Sequence, residues 1–302
     1  MSTTSISLPE RRVAVLARTR DFVELTKPRI ATLMLVVIAA AAVAATWGQL
    51  DPWTVVHAMV GTLLVAGSAS AGNQIIERFR DRHMPRTADR PLPSGRMMLW
   101  EAVLFTAATV TIGTLYLLVT VGWQPAVWAV LTWVLYVIVY TPLKVVTSAN
   151  TAVGAVAGAL PVFIGWTATG VPLDWRALAL FLILYLWQFP HFMAIAWLYR
   201  EQYGRGGMKM LTVVDPTGRR AGVQAVLGAT ALIPVALVPA LAGPGFGAAA
   251  YIVLVGLLGV AQLGLSILFC VQRSEQSARW LLRASLVYLP LVLLMLMLFP
   301  WL

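Results

Sequence analysis

Charge is what this sequence has least of. Only 11% of its 302 residues are Asp, Glu, Lys or Arg, against about 25% in an ordinary soluble domain. Acidic side chains number 12 and cysteines one, Cys270. A lone cysteine excludes an internal disulfide and a cysteine-cluster metal site. No polar stretch is long enough to form a soluble domain between the apolar runs. The net charge of +10 would suit a nucleic-acid partner, but the basic residues sit in segments between apolar runs, and no nucleic acid is expected.

What is present instead is apolar. Hydrophobic residues make up 60% of the chain, with a mean hydropathy of +0.81. Nine stretches satisfy the roughly 17–25 apolar residues a helix needs to cross the hydrocarbon: about 30–48, 53–72, 98–121, 126–142, 151–170, 177–198, 221–242, 247–270 and 280–300. The first is longer than the core of a secretory signal and reads as a retained helix. Residues 1–29 hold Glu10, Asp21 and Glu24, acids that a mitochondrial transit peptide avoids. With the N-terminus inside, 21 of the 22 Lys and Arg residues fall in inside segments and only Arg176 outside. That is a strong positive-inside bias. The expectation is an all-α, polytopic membrane protein, a single domain over 1–302 with a cytoplasmic segment 1–29. Its N-terminus is cytoplasmic and its C-terminus outside, as fits a bacterial inner membrane.

Two inside segments are richer in acid than the rest. The second span runs into "NQIIERFRDRHMPRT", where Asn73, Glu77 and Asp81 are spaced i, i+4, i+8. If the helix continues past the membrane surface, they share a face. Neighbouring like charges destabilise an isolated helix; two carboxylates and an amide beside arginines suit magnesium completed by water and substrate phosphate. Guanidinium groups bind phosphate bidentately. The plainer alternative is local pairing of Glu77 with Arg78 or Arg80. The sixth span, "LYLWQFPHFMAIAWLYREQYGRGGMKML", carries Pro190, which should kink it, with Gln188 and His191 beside the kink. Polar groups at that depth face the bundle interior, as an interhelical bond or as part of a site. Beyond this span Glu201 stands at a second, weaker acidic mouth before the flexible "GRGGMK". Lys27 of "TKPRI" and Tyr140 and Lys144 of "YTPLK" read as interfacial anchors. His57 reads as structural and His83 as a solvated loop residue.

The spacing N-x-x-x-E-x-x-x-D, followed by "MPRT" and "RPLPSGR", resembles the first signature of the UbiA-type intramembrane prenyltransferases, nine-helix bundles. Within that family, "TKPR", "MPRTADRPLPSGR", "YTPLK", "GALPVFIGW", "WQFPHFMAIAWLYREQY" and "GGMKML" are similar to the branch that farnesylates haem b. These motifs run in order from residue 26 to 211; the last three spans match only in general character. The resemblance implies that farnesyl diphosphate gives its farnesyl group to a vinyl group of haem b, water adds, and diphosphate leaves, forming haem O. It implies Asn73, Glu77, Asp81 and Glu201 as magnesium-linked catalytic residues. Arg80, Arg82, Arg86, Lys144 and Lys209 would bind diphosphate, and His191 and His83 would contact haem. Membrane lipid is an expected partner, and a haem A synthase or terminal oxidase assembly proteins would be further ones. The sequence departs from the pattern at Glu77, where Asp is usual, at Phe79, at Glu201-Gln202, and at Val145 and Val146, all of which reduce charge at the site. The competing readings are a relative acting on an aromatic or chlorin acceptor, and a transporter of a lipid-like solute marked by paired half-helices.

Overall fold

The computed structural model describes residues 8–242 and 246–298, without the side chains of 8–15, 29, 30, 242 and 246. Glu10, Arg11, Arg12 and Arg29 therefore lie outside the described side chains, and residues 1–7 and 299–302 outside the described chain. Every regular element among the described residues is helical.

Helix α1 (Leu8–Thr26) meets α2 (Pro28–Thr46) at a 52° bend. Lys27 sits at the break with a left-handed φ of 49°. Proline excludes the α region for the residue before it, so Pro28 dictates where the helix stops. Helix α3 (Pro52–Asp81) starts under Asp51, whose carboxylate accepts the Trp53 and Thr54 N–H groups, both at 3.1 Å. Its 30 residues span about 45 Å, well beyond a hydrocarbon core about 30 Å thick. The helix is therefore long enough for its last turns, carrying Glu77 and Asp81, to stand beyond the membrane surface.

The remaining spans are α4 (Leu99–Thr120), α5 (Trp123–Leu143), α6 (Asn150–Ala168) and α7 (Trp175–Leu198). After two short helices, α8 (Arg200–Arg205) and α9 (Leu211–Val214), come α10 (Arg219–Leu241), α11 (Phe246–Gln272) and α12 (Glu275–Leu298). Eight described helices are long and apolar enough to cross a membrane, and the bent α1–α2 pair makes a ninth. All nine sequence-derived spans coincide with these helices. The clearest boundary difference is α12, which begins at Glu275 rather than near residue 280. Arg279, outside the sequence-derived span, therefore stands on the helix itself, as Arg283 does.

Helix α6 is the most enclosed span, and small residues make that possible. A Cβ on Gly165 would lie 2.3 Å from the Ile38 carbonyl oxygen, so α2 and α6 touch backbone to backbone. A Cβ on Gly228 would lie 2.7 Å from Phe189 Cβ, which lets α10 close on the Pro190 region of α7. Around α6 the main core joins Val37 and Ala40 of α2, Ile183 and Trp187 of α7, Leu232 of α10 and Leu289 of α12. Helix α4 instead turns Val103, Leu104, Ile112 and Val119 outward, the apolar face expected against lipid. At the end of the bundle where α3 stops, residues 82–97 form a compact chain of turns. Thr87 fastens it, donating its hydroxyl to the Asp81 carbonyl at 3.0 Å. Met84 of this loop packs with Met208 and Met210 beyond α8, so the two acidic mouths share one apolar joint.

Candidate active site

Helix α3 delivers Asn73, Glu77 and Asp81 to one buried face, and neighbouring elements bring cations to each. Lys144 donates to Glu77 Oε1 at 2.8 Å, with both side chains almost covered. Lys27 donates to Asn73 Oδ1 at 2.9 Å, while the Asn73 amide donates to Thr141 Oγ1 at 3.1 Å. Arg90 reaches back from the loop to Asp81 Oδ2 at 2.7 Å. Local pairing of Glu77 with Arg78 or Arg80 does not occur: Arg78 donates to the Ile75 carbonyl at 2.7 Å and lies over the Phe79 ring. The partner of Glu77 comes from 67 residues away.

Lys144 is placed by a local irregularity. Residues Leu135–Tyr140 of α5 form a π-helical turn, the kind of widened turn found at functional sites. It suits the sequence, because Pro142 has no N–H to continue the regular ladder, while Thr141 donates both its N–H and its hydroxyl to the Tyr136 carbonyl. The Tyr140 ring then lies 4.6 Å from the Lys144 ammonium. A Cβ on Gly154 would meet that ring at 2.6 Å, so only glycine in α6 leaves room for Tyr140. Burial works against the Lys144 charge, but Tyr140 and Glu77 beside it outweigh burial and hold its pKa above the ordinary value.

One oxygen in this cluster has no partner. Asp81 is fully buried, and its Oδ1 lacks any hydrogen bond among the described residues. A buried carboxylate oxygen left unpaired is costly and fits a cation ligand. Among the described residues no three His, Cys, Asp or Glu side chains gather. The first mouth therefore offers two carboxylates and an amide, a set that suits a hard cation completed by phosphate and water.

The second mouth differs from expectation. Glu201 is exposed on α8, and among the described residues it makes no hydrogen bond or ion pair to the first mouth. The buried oxygen there belongs to Gln202, whose Oε1 has no partner among the described residues. Lys209 is exposed, but its backbone N–H donates to the Lys144 carbonyl at 2.6 Å. Arg86 crosses to this mouth, 4.6 Å from the centre of the Tyr199 ring and 3.5 Å from the Tyr203 hydroxyl. Arg82 is exposed and donates to the Pro93 carbonyl at 3.1 Å; Arg80 is half-buried without a polar partner among the described residues. The cations that touch the carboxylates and amide are thus Lys27, Arg90 and Lys144. Sequence reasoning took Lys27 for an anchor and did not single out Arg90.

The histidines separate. Exposed His83 pairs through Nδ1 with the Phe79 carbonyl at 3.0 Å. His57 pairs with the Tyr116 hydroxyl at 2.7 Å, a structural contact. Gln188 donates to the Ala155 carbonyl of α6 at 2.9 Å, an interhelical bond. His191 faces the other way, toward α12, stacked on Trp187 and 2.8 Å from Ser285 Oγ. Ser285 gives its own proton to the Leu282 carbonyl at 2.7 Å, so His191 donates from Nδ1. Its Nε2 is left with a free lone pair.

Residues 33–289 match the UbiA prenyltransferase family. The chain is similar to the protoheme IX farnesyltransferase of Rhodopirellula baltica, 48% identical over 278 residues, covering 90% of this chain and 97% of that one. It is also similar to the protein of the same name from Koribacter versatilis, 39% identical over 308 residues and 99% of both chains. In fold it resembles a UbiA homolog from Archaeoglobus fulgidus bound to DMAPP and Mg2+, with a TM-score of 0.69, 15% identity, and coverage of 93% of this chain and 98% of that one.

Proposed function

The chain belongs to the UbiA prenyltransferase family, and from that premise we propose that it transfers the farnesyl group of farnesyl diphosphate to a vinyl group of haem b, giving haem O and diphosphate. The carbon–oxygen bond of the allylic diphosphate breaks with its electron pair leaving on diphosphate. The vinyl π electrons form the new carbon–carbon bond, and water takes up the resulting cation with loss of a proton. The near full-length identity to protoheme IX farnesyltransferases supports this acceptor over an aromatic or chlorin one. The observation that carries the chemistry is the buried, unpaired Asp81 oxygen in a mouth also holding Lys27, Arg90 and Lys144.

In this proposal Asn73, Glu77 and Asp81 hold magnesium, which when bound supplies positive charge against the departing diphosphate. The second mouth contributes through the Gln202 oxygen, with Glu201 on the outer surface. Lys144, Lys27 and Arg90 bind the diphosphate directly, in a partly dehydrated site where fixed charges act strongly. Arg80, Arg82, Arg86 and Lys209 form an outer ring through which an anionic substrate arrives. The apolar bundle interior takes the isoprenoid tail and keeps bulk water from the cation. His191 contacts haem through its free Nε2, with His83 as the outer candidate. The charge bias supports an inner-membrane setting with the N-terminus cytoplasmic and the C-terminus outside.

Mass spectrometry of haems from membranes with and without the protein tests the reading. Haem O should accumulate with the wild type and fall by orders of magnitude with Asp81→Asn at equal membrane abundance. Near-normal haem O from that variant at ordinary magnesium would remove Asp81 from the metal site, and no haem O from the wild type would remove the haem assignment.

A further inference from the structure

Between α11 and α12 lies a cavity of about 390 Å³, none of whose lining residues belongs to the two mouths. Its walls are mostly apolar, Leu258, Leu265 and Val287 among them, yet three polar side chains also line it: Gln262, Tyr288 and Arg283. Gln262 is 1% exposed, and neither its amide nitrogen nor its amide oxygen has a partner among the described residues. Tyr288 is equally buried, with a hydroxyl that has no partner among the described residues. Arg283 is exposed and makes no ion pair or hydrogen bond among the described residues. The buried Gln262 amide and Tyr288 hydroxyl call for a partner from outside the described residues.

We propose that this groove binds an acidic phospholipid. The order of groups along it matches that of such a molecule. Trp280, an interfacial residue type, and Arg283 stand nearest the start of α12, eight residues or about 12 Å from Glu275 in the case of Arg283. Gln262 lies ten residues, about 15 Å, before the end of α11. Arg283 meets the phosphate diester, and the Gln262 amide and Tyr288 hydroxyl donate to the ester carbonyls. One acyl chain then runs past Leu258 and Val287. A second copy of this chain is the alternative cover, but a two-fold packing on this face would set Arg283 against its own copy. Charge therefore favours an anionic lipid. Bound there, the lipid clamps the last two helices together, independently of the catalytic reading.

The full-length protein in detergent, with phosphatidylglycerol or phosphatidylcholine added, tests this by native mass spectrometry and melting curves. Wild type should retain phosphatidylglycerol, at least tenfold over phosphatidylcholine, and melt higher with it. Arg283→Gln should lose that preference about tenfold. Gln262→Leu should melt higher than wild type without lipid, because an unsatisfied amide is gone, and lose most of the lipid-induced shift. Equal retention of both lipids, undiminished retention by Arg283→Gln, or a dimer that Gln262→Leu dissociates would each overturn the proposal.

Discussion

Removing Lys144 isolates a charge the fold cannot hydrate. Its 2.8 Å pair with Glu77 leaves side-chain exposures of only 13% and 7%, so Lys144→Met strands a buried carboxylate. Splitting a buried pair from one side costs about 3–5 kcal/mol. The lower end applies here, because Lys27, bonded to Asn73 one helical turn before Glu77, also favours the Glu77 carboxylate. A loss of about 3 kcal/mol is roughly a hundredfold in the folded-to-unfolded ratio. Glu77→Gln strands the ammonium instead and should cost a similar amount, whereas the double variant Lys144→Met/Glu77→Gln removes both charges and should recover most of the loss. The assay is denaturation in mixed micelles, followed by the fluorescence of the 12 tryptophans. Magnesium adds a second reading: it should restore stability to Lys144→Met, whose carboxylate remains to bind it, and not to Glu77→Gln. Single losses that simply add in the double variant would refute the coupling, and an absent magnesium effect would refute Glu77 as a ligand.

Arg86→Ala should raise the KM for farnesyl diphosphate while topology is unchanged, because Arg86 bridges the two mouths through Tyr199 and Tyr203; a change confined to haem dependence, read in steady-state kinetics, would move it to a propionate. His191→Ala should weaken haem binding in spectrophotometric titration and slow transfer with little change in melting temperature. Preserved haem affinity with a stability loss of about 1–3 kcal/mol would make His191 a structural partner of Ser285 alone. Gly165→Ala should destabilise by about 1–3 kcal/mol in the same micelle assay, since the added Cβ meets the Ile38 backbone, which cannot rotate away; an unperturbed protein would show that α2 and α6 are not in backbone contact.

The spans, the long α3 and the shared face of Asn73, Glu77 and Asp81 were legible in the chain itself. Each follows from local rules: hydropathy over a bilayer's thickness, the 3.6-residue period, and proline or aspartate at a helix start. Even the break at Lys27 is written in the Lys27-Pro28 step. Which cation meets which anion was not legible. Arg78 and Arg80 lie nearest Glu77 in sequence, but Arg78 turns to the Ile75 carbonyl and the Phe79 ring and Arg80 makes no polar contact among the described residues, whereas Lys144 arrives only because a π-turn in α5 and Gly154 in α6 set Tyr140 and its neighbour against α3. Likewise α8 turns Glu201 out and Gln202 in, a choice of one residue in the register of a short helix. His191 and Gln188, three apart beside Pro190, looked like one polar patch and proved to be bonded to different helices. Local sequence determines where a helix runs and which residues share its face; which neighbour that face meets depends on packing across dozens of residues, and only the tertiary structure decides it.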